Sequence, residues 1–288
     1  MIRYNPRDWF LILFKFHKAD TFRKLLPLII VLSLYAWLIT WLEVEIWKLS
    51  ETSHVKNLSL IHSSLGMVIS LLLVFRTNTA YERWWEGRKI WGGLVNSSRN
   101  LALKIKALVP EESGYFAVMI PNFAYALKNH LRRVHLEEEL EPANGFSTES
   151  KTDVHLPNHI AGQILNYSAS LERSGKLKPE HLLMLHPELT NFTDATGACE
   201  RIRNTPIPYS YSVFLKKFMF MYVMTLPFGF VFSLGYLTIP VVAVIFYVLA
   251  SLELIAEEIE DPFGVDANDL PTDEIAAGIR KTVKEILA

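Results

Sequence analysis

The sequence has a single cysteine, few charges and none of the common catalytic motifs. Cys199 alone cannot form an intrachain disulfide, so we expect a buried, inert thiol on a reducing side of the cell. Charged residues make up 20% of the chain, whereas soluble domains average about a quarter. G-x-S-x-G, H-E-x-x-H, Walker A and dinucleotide-binding glycine motifs are missing. These absences argue against an ordinary soluble enzyme.

Long uncharged runs take the place of the missing charges. Residues 25–42 and 57–75 contain no Lys, Arg, Asp or Glu, and neither does the stretch 218–252, which Pro227 and Gly229 interrupt. About 20 helical residues cross a hydrocarbon layer of about 30 Å. The alternative is a set of buried helices in a large soluble core. The runs favour four transmembrane helices, over residues 25–42, 57–75, 216–234 and 236–254.

The rest of the chain has the apolar spacing of helices. Apolar residues recur every three or four positions through most of residues 76–211, and strand-like alternation of useful length is missing. We therefore predict an all-α membrane protein with a helical insert over 76–211. Residues 255–288 form an acidic tail in this prediction.

The charge distribution predicts the orientation in the membrane. Residues 1–24 hold six Lys or Arg against two acids, and residues 76–106 hold seven against two. We expect the protein to lie in the inner membrane of the cell. The positive-inside rule then places both termini and the insert in the cytoplasm. Because no small-residue cleavage site follows the first apolar run, we expect no signal peptide.

Aromatic and basic residues crowd the point where the second run ends. A few helical turns after residue 75 lie Arg83, Trp84, Trp85 and Trp91. Trp rings prefer the membrane–water interface, where the ring is half buried and its N–H is wet. We predict that these four residues anchor the second helix at the interface.

A stripe of apolar residues lies on the second predicted helix. Met67, Leu71 and Phe75 are four residues apart and so share a face over about 12 Å. On the axis of an oligomer such a stripe would form a hydrophobic gate. The alternative is that this face packs against another helix.

The acidic tail contains a candidate cation site. Asp261, Asp266 and Asp269 surround the turn "DPFG", and carboxylates on a turn are typical Ca²⁺ ligands. The default expectation for such a segment is a solvated tail. His155 and His159 flank a proline loop, and we expect both to be surface histidines without a metal.

Two stretches, "FRTNTAYERWWEGR" and "IEDPFG", resemble the bestrophin ion channels and their bacterial relatives. The resemblance spans nearly the whole chain. It implies a homopentamer around one pore, with a neck at Met67, Leu71 and Phe75 and a lower constriction for which Leu182 and Leu185 are candidates. It also maps the family's Ca²⁺ ligands to Glu258, Asp261, Asp266 and Asp269. Val265, Ala267 and Asn268 thin the acidic run, so we expect activity without Ca²⁺ and no required cofactor.

These observations predict a pentameric channel for small monovalent ions. The predicted partners are further copies of the chain, the lipid bilayer and the permeating ions, with no nucleic acid. We expect cations to be preferred over anions, because Glu253, Glu257, Glu258 and Asp261 crowd the end of the fourth helix without a base among them. The alternatives are a chloride-selective channel, a scaffold without conduction, and a membrane-bound enzyme using carboxylates such as Glu253 or Glu257.

Overall fold

The computed structural model describes residues 21–48, 58–134, 136–143 and 154–288. Every regular element within these ranges is helical, which confirms the all-α prediction. The helices are α1 (Thr21–Trp41), α2 (Leu58–Leu108), α3 (Ser113–Arg132), α4 (Leu156–Arg173), α5 (Pro179–Asn204), α6 (Tyr209–Leu234), α7 (Thr238–Glu260) and α8 (Thr272–Leu287). A π-helical turn, Leu42–Ile46, continues α1.

Three described stretches are long and apolar enough to cross a membrane. They are Thr21–Ile46, Leu58–Leu108 and Tyr209–Glu260. The third is a hairpin of α6 and α7, joined by the short turn Gly235–Leu237. Gly235 ends α6 with φ +51°, in the left-handed region that favours glycine. These four helices share one apolar core, which includes Leu32, Leu73, Val223 and Phe246.

The second helix does not end where its apolar run ends. It continues for 51 residues without a proline, a length of about 76 Å at 1.5 Å per residue. The predicted boundary between residues 75 and 76 is therefore not a helix boundary. About a third of α2, residues 58–75, is the second apolar run, and the remainder is the first helix of the insert.

The insert and the tail build a second core together. This core contains the buried rings of Trp91, Phe116, Phe123 and Phe192. The tail contributes Phe263 and the apolar face of α8, whose residue Ile279 is also buried. The expectation of a solvated acidic tail is wrong for this part of the chain, because α8 is amphipathic and packs against α2 and α3.

Candidate functional site

The candidate site is the outward face of the apolar half of α2. Met67, Leu71 and Phe75 are 78%, 55% and 57% exposed in the isolated chain. On the opposite face, Ile69 and Leu73 are buried in the core of the apolar helices. The structure therefore brings the three predicted neck residues together on an open face. A face this apolar must be covered by lipid or by other chains, or it must line a narrow passage.

Polar contacts with α6 fix the rotation of α2 that exposes this face. His62 Nε2 lies 2.9 Å from the Thr225 hydroxyl, and its Nδ1 lies 2.7 Å from the carbonyl oxygen of Leu58. The Tyr211 hydroxyl donates to the carbonyl of Leu72 at 3.0 Å. Gly229 allows α6 to approach, because a Cβ atom there would lie 3.1 Å from the backbone nitrogen of Ser59.

A buried ionic cluster begins directly after the stripe, at the residue that follows Phe75. Arg76 Nη2 is 2.7 Å from Glu260 Oε2, and Arg76 Nε is 3.5 Å from Glu253 Oε2. The Arg76 side chain is 2% exposed. The second Glu260 oxygen accepts the backbone N–H of Ile207 at 2.7 Å, which ties the start of α6 to the end of α7. Arg76 is therefore an internal cross-link rather than a surface charge.

Arg83 binds the ends of two other helices. Its guanidinium donates to the carbonyl oxygens of Ile202 and Thr205 at the end of α5, and to that of Glu260 at the end of α7. Exposed carbonyls at helix C-termini carry partial negative charge, which a guanidinium stabilises. The prediction of Arg83 as an interface anchor missed these partners, since they lie more than 100 residues away in sequence.

The predicted tryptophan anchors have three different environments. Trp91 is fully buried in the insert core, so it cannot lie at a membrane interface and that prediction is wrong. Trp84 is partly buried and donates its ring N–H to the carbonyl of Asn268 at 3.0 Å, which holds the tail. Trp85 is 48% exposed and stacks on Tyr81. Trp85 keeps the environment expected of an anchor.

The two candidates for the lower constriction also differ. Leu185 has no exposed surface and packs in the insert core, so it cannot line a passage and that prediction is wrong. Leu182 is partly buried. Leu183, which the sequence analysis did not select, is 74% exposed. Helical spacing alone could not distinguish these neighbours, because the core side of α5 was unknown.

Most of the acids near the end of α7 have basic partners. Glu257 pairs with Lys216 at 2.9 Å, Glu258 pairs with Lys24, and Glu253 faces Arg76. Of the four acids named for cation attraction, Asp261 is exposed and forms no ion pair with the described part of the chain. The electrostatic basis of the expected cation preference is therefore reduced.

Two of the tail carboxylates named as Ca²⁺ candidates make contacts within the chain. Asp269 Oδ2 accepts the backbone N–H of Asp266 at 2.7 Å, and burial raises the pKa of Asp269 to about 7. Its Oδ1 is buried and has no hydrogen-bond partner among the residues that the structure describes. Glu258 is bound to Lys24 and to Asn268. Within the described ranges, no three of these four side chains bring their carboxylate oxygens within 4.8 Å of one another.

Cys199 has the environment predicted for it. The thiol is free and buried in the insert core. Burial raises the pKa of Cys199 to about 12, so the thiol stays protonated at neutral pH.

Comparison with known proteins gives concordant results at three levels. The family model described as bacterial/fungal bestrophin protein matches residues 1–285. A voltage-dependent anion channel-forming protein of Nostoc sp. strain PCC 7120 is 40% identical over 230 residues, which are 77% of this chain and 75% of that protein. The voltage-dependent anion channel-forming protein YneE of Escherichia coli K12 is 36% identical over 223 residues, 75% of this chain and 73% of that protein.

A solved structure agrees with these sequence matches. A point-mutant crystal structure of a bacterial bestrophin homologue from Klebsiella pneumoniae superposes with a TM-score of 0.81 at 26% identity. The superposition covers 91% of this chain and 98% of its counterpart.

Proposed function

Because this chain belongs to the bacterial and fungal bestrophin family of membrane ion channels, we propose that five copies place α2 around one central pore. Met67, Leu71 and Phe75 of each copy form its hydrophobic neck. The supporting observation is the burial of the apolar helices. In the isolated chain, 17% of the most apolar 18-residue part of α2 is buried. The corresponding share is 28% for the span that begins with α1 and 39% for the hairpin of α6 and α7.

The polar residues on the exposed face favour a pore over lipid. Ser63 and Ser64 lie exposed about one turn before Met67, and Asn78 and Thr79 lie exposed about one turn after Phe75. A polar group facing hydrocarbon loses its water partners, whereas the same group at the mouth of a pore remains wet. An apolar middle with polar ends matches a passage that narrows at its centre.

The oligomer is tested by mass. One chain has a mass of 33.0 kDa, and the detergent-purified protein should have a protein mass of about five times that value, as a closed cyclic assembly requires. Multi-angle light scattering coupled to gel filtration, with the detergent contribution subtracted, measures it. A monodisperse monomer that still conducts ions in liposomes would exclude a pore shared between chains.

The orientation follows from contacts at the start of α1. The Ser251 hydroxyl donates to Thr21 Oγ1 at 2.9 Å, and Lys24 pairs with Glu258, so α1 starts beside the end of α7. That end adjoins the insert and the tail. We place this whole layer in the cytoplasm below the inner membrane, in accord with the excess of basic residues in the insert near residue 76. Protease accessibility in oriented membrane vesicles tests this side assignment.

Small anions are the proposed permeant ions. The neck carries no charged side chain, so it cannot select by Coulomb attraction, and selection depends on the charges at its mouths. Glu253, Glu257 and Glu258 face basic partners and contribute little net negative potential. The named relatives from Nostoc and E. coli form anion channels according to their descriptions. The neck also offers the ring edge of Phe75, which carries partial positive charge.

Cation conduction remains the competing function, and one observation favours it. Asp261 is exposed, and five symmetry-related copies would make a ring of negative charge. Reversal potentials of the protein in planar bilayers, under an asymmetric NaCl gradient, decide between the two. A shift toward the chloride equilibrium potential supports anion conduction, and a shift toward that of sodium supports the cation channel.

The second constriction is proposed at the start of α5. Leu183 is exposed there, and Leu182 beside it is partly buried. Exposed leucines repeated around an axis would form a second apolar ring in the insert. Leu183→Ala should raise single-channel conductance, and Leu185→Ala should leave conductance unchanged in those channels that assemble. Equal conductance of Leu183→Ala and the wild-type protein would place the constriction elsewhere.

A further inference from the structure

Three side chains from separate elements of the insert meet at one point. His130 lies in the last turn of α3, Glu200 lies on α5, and His155 directly precedes α4. The Nε2 atoms of both histidines lie 2.7 Å from Glu200 Oε1. The three ligand atoms all lie within 4.8 Å of one another. Among the described residues, this is the one group of three or more His, Cys, Asp or Glu side chains whose ligand atoms lie this close together.

We propose that His130, His155 and Glu200 bind one divalent transition-metal ion of the zinc class. In a tetrahedral site with metal–ligand bonds of about 2.0–2.2 Å, neighbouring ligand atoms are about 3.3 Å apart. The two histidine–carboxylate distances, both 2.7 Å in the structure, would therefore have to change by well under 1 Å to reach this geometry. Two imidazole nitrogens and one carboxylate suit zinc, cobalt or nickel, whereas calcium and magnesium prefer oxygen alone.

The charges around the cluster suit a cation. Although burial opposes it, hydrogen bonds from His155 and His130 lower the pKa of Glu200, so the carboxylate is ionised at neutral pH. Burial and the neighbouring His155 lower the pKa of His130, which favours the neutral imidazole that a metal requires. Arg203 lies beside the cluster: its Nη1 donates to the backbone carbonyl of His130 at 2.9 Å, and its positive charge also lowers the pKa of His130.

The openness of the cluster indicates an exchangeable ion. The three side chains are 28%, 34% and 28% exposed, in the order His130, His155 and Glu200. Three protein ligands with access to solvent leave a fourth position for water. An ion there would join α3, α4 and α5, and α5 also carries Leu183. This inference does not depend on which ion the channel conducts or on where its neck lies.

Binding has a structural consequence at the start of α4. His155 Nδ1 accepts the backbone N–H of Asn158 at 3.2 Å and caps the helix. In the neutral ring this leaves the proton on Nε2, and a metal at Nε2 moves it to Nδ1. The ion therefore replaces the cap, and it holds the start of α4 through a coordinate bond instead.

The test measures metal binding by the full-length oligomer. The protein is purified without a polyhistidine tag, stripped with a chelator, dialysed, and titrated with Zn²⁺ alone by isothermal titration calorimetry. We expect one Zn²⁺ per chain. Glu200→Gln and His155→Asn should each weaken binding at least about tenfold, the lower end of losses for disturbed metal sites. Asn at position 155 keeps a good helix cap but lacks the imidazole.

The matched control is His186→Ala, which removes an exposed histidine on α5 outside the cluster. It should bind Zn²⁺ like the wild-type protein. Co²⁺ substitution gives a second measurement, because a four-coordinate site produces visible absorption that Glu200→Gln should remove. The proposal is overturned if the wild-type protein binds less than one Zn²⁺ per chain. It is also overturned if Glu200→Gln and His155→Asn, with wild-type mass and helical content, bind Zn²⁺ as tightly as the wild-type protein.

Discussion

Arg76 and Glu260 form an ion pair of 2.7 Å between α2, which carries the exposed apolar stripe, and the last apolar helix α7. The pair lies where the apolar core of the membrane helices ends and the insert begins. Arg83, about two turns further along α2, binds the backbone carbonyl of the same Glu260 at 3.0 Å. Two arginines of one helix thus hold the end of another, and they set the position of the neck residues relative to the rest of the chain.

Removal of Arg76 should strongly destabilise the protein. Arg76→Ala leaves the buried carboxylate of Glu253 without its cation, and losses of about 3–5 kcal/mol are typical when one partner of a buried ion pair is removed. The thermal unfolding midpoint in detergent measures the effect. Arg88→Ala is the control, because Arg88 is exposed on the same helix, and its effect should stay within about 0.5 kcal/mol. Equal effects of the two substitutions would contradict the buried cluster.

Truncation of the neck should increase conductance. Leu71→Ala widens and hydrates the narrow part of the pore, so single-channel conductance should rise. Ile61→Ala is a matched control, since Ile61 and Leu71 are 54% and 55% exposed in the isolated chain. The two residues point in directions about 80° apart around α2. If Ile61→Ala raises conductance as much as Leu71→Ala, the assigned pore face is wrong.

A methyl group at residue 229 should separate α6 from α2. In Gly229→Ala the new Cβ would lie 3.1 Å from both Ser59 N and His62 Nδ1, and such overpacking costs about 1–3 kcal/mol. Gly162→Ala on α4 is the comparison, because no heavy atom of the described residues lies within 4 Å of its Cβ position. That substitution should instead stabilise its helix by about 0.5–1 kcal/mol. Chemical denaturation followed by circular dichroism distinguishes the two, and a Gly229→Ala protein as stable as the wild type refutes the close contact.

The attachment of α8 should weaken at low pH. Arg132 holds the Asp273 carboxylate with two hydrogen bonds of 2.9 and 2.8 Å. This contact and a further one from Lys128 lower the pKa of Asp273 to about 2. A lowered pKa means that the stabilisation is complete above the ordinary aspartate pKa of about 3.9 and disappears as the pH falls toward about 2.

Asp273→Asn tests this linkage. The Asp273 side chain is 60% exposed, so solvent screening limits its contribution to about 1 kcal/mol. The variant should have a lower unfolding midpoint than the wild-type protein at pH 7, and the difference should shrink between about pH 4 and pH 2. Asp194→Asn, at an exposed position on α5, is the control. A constant difference at every pH would show that the charge of Asp273 is not responsible.

Calcium removal should leave the current unchanged. Glu258 is bound to Lys24, and the carboxylates of the tail do not converge, so Ca²⁺ has too few available ligands there. Currents in planar bilayers at buffered low Ca²⁺ and at added Ca²⁺ should match. A current that falls without Ca²⁺, recovers on its addition and becomes insensitive in Asp266→Ala would establish a calcium site in the tail.

Local patterns in the sequence predicted the helices and the exposed stripe, because both depend on spacing within one helix. The apolar runs correspond to α1, α2, α6 and α7, and the register of Met67, Leu71 and Phe75 matches an open face. The role of that face in conduction stays a prediction. Contacts between α2 and α6 fix the rotation of that face: His62 of α2 bonds to Thr225 of α6, and Tyr211 of α6 bonds to the carbonyl of Leu72 on α2.

Features that depend on which element packs against a given helix face could not be predicted from spacing within one helix. Trp91 and Leu185 belong to amphipathic helices, and the spacing of apolar residues does not tell which neighbours face a core and which face water. His130 and Glu200 are 70 residues apart in sequence. Isolated histidines and acids are common on surfaces, so neither residue carried a signal before the helices were packed.

The uninterrupted course of α2 makes it a lever. Arg83 holds this helix at a point between its membrane part and its insert part, so a small tilt about that point moves the two parts in opposite directions. Leu71 lies 12 residues from Arg83, about 18 Å along the axis, and a tilt of about 5° would carry it sideways by about 1.6 Å. That displacement, repeated in every copy around the axis, is comparable to the radius of a water molecule. In the proposed pentamer, the diameter of the neck would therefore depend on the packing of α2 against α5 and α8 in the insert.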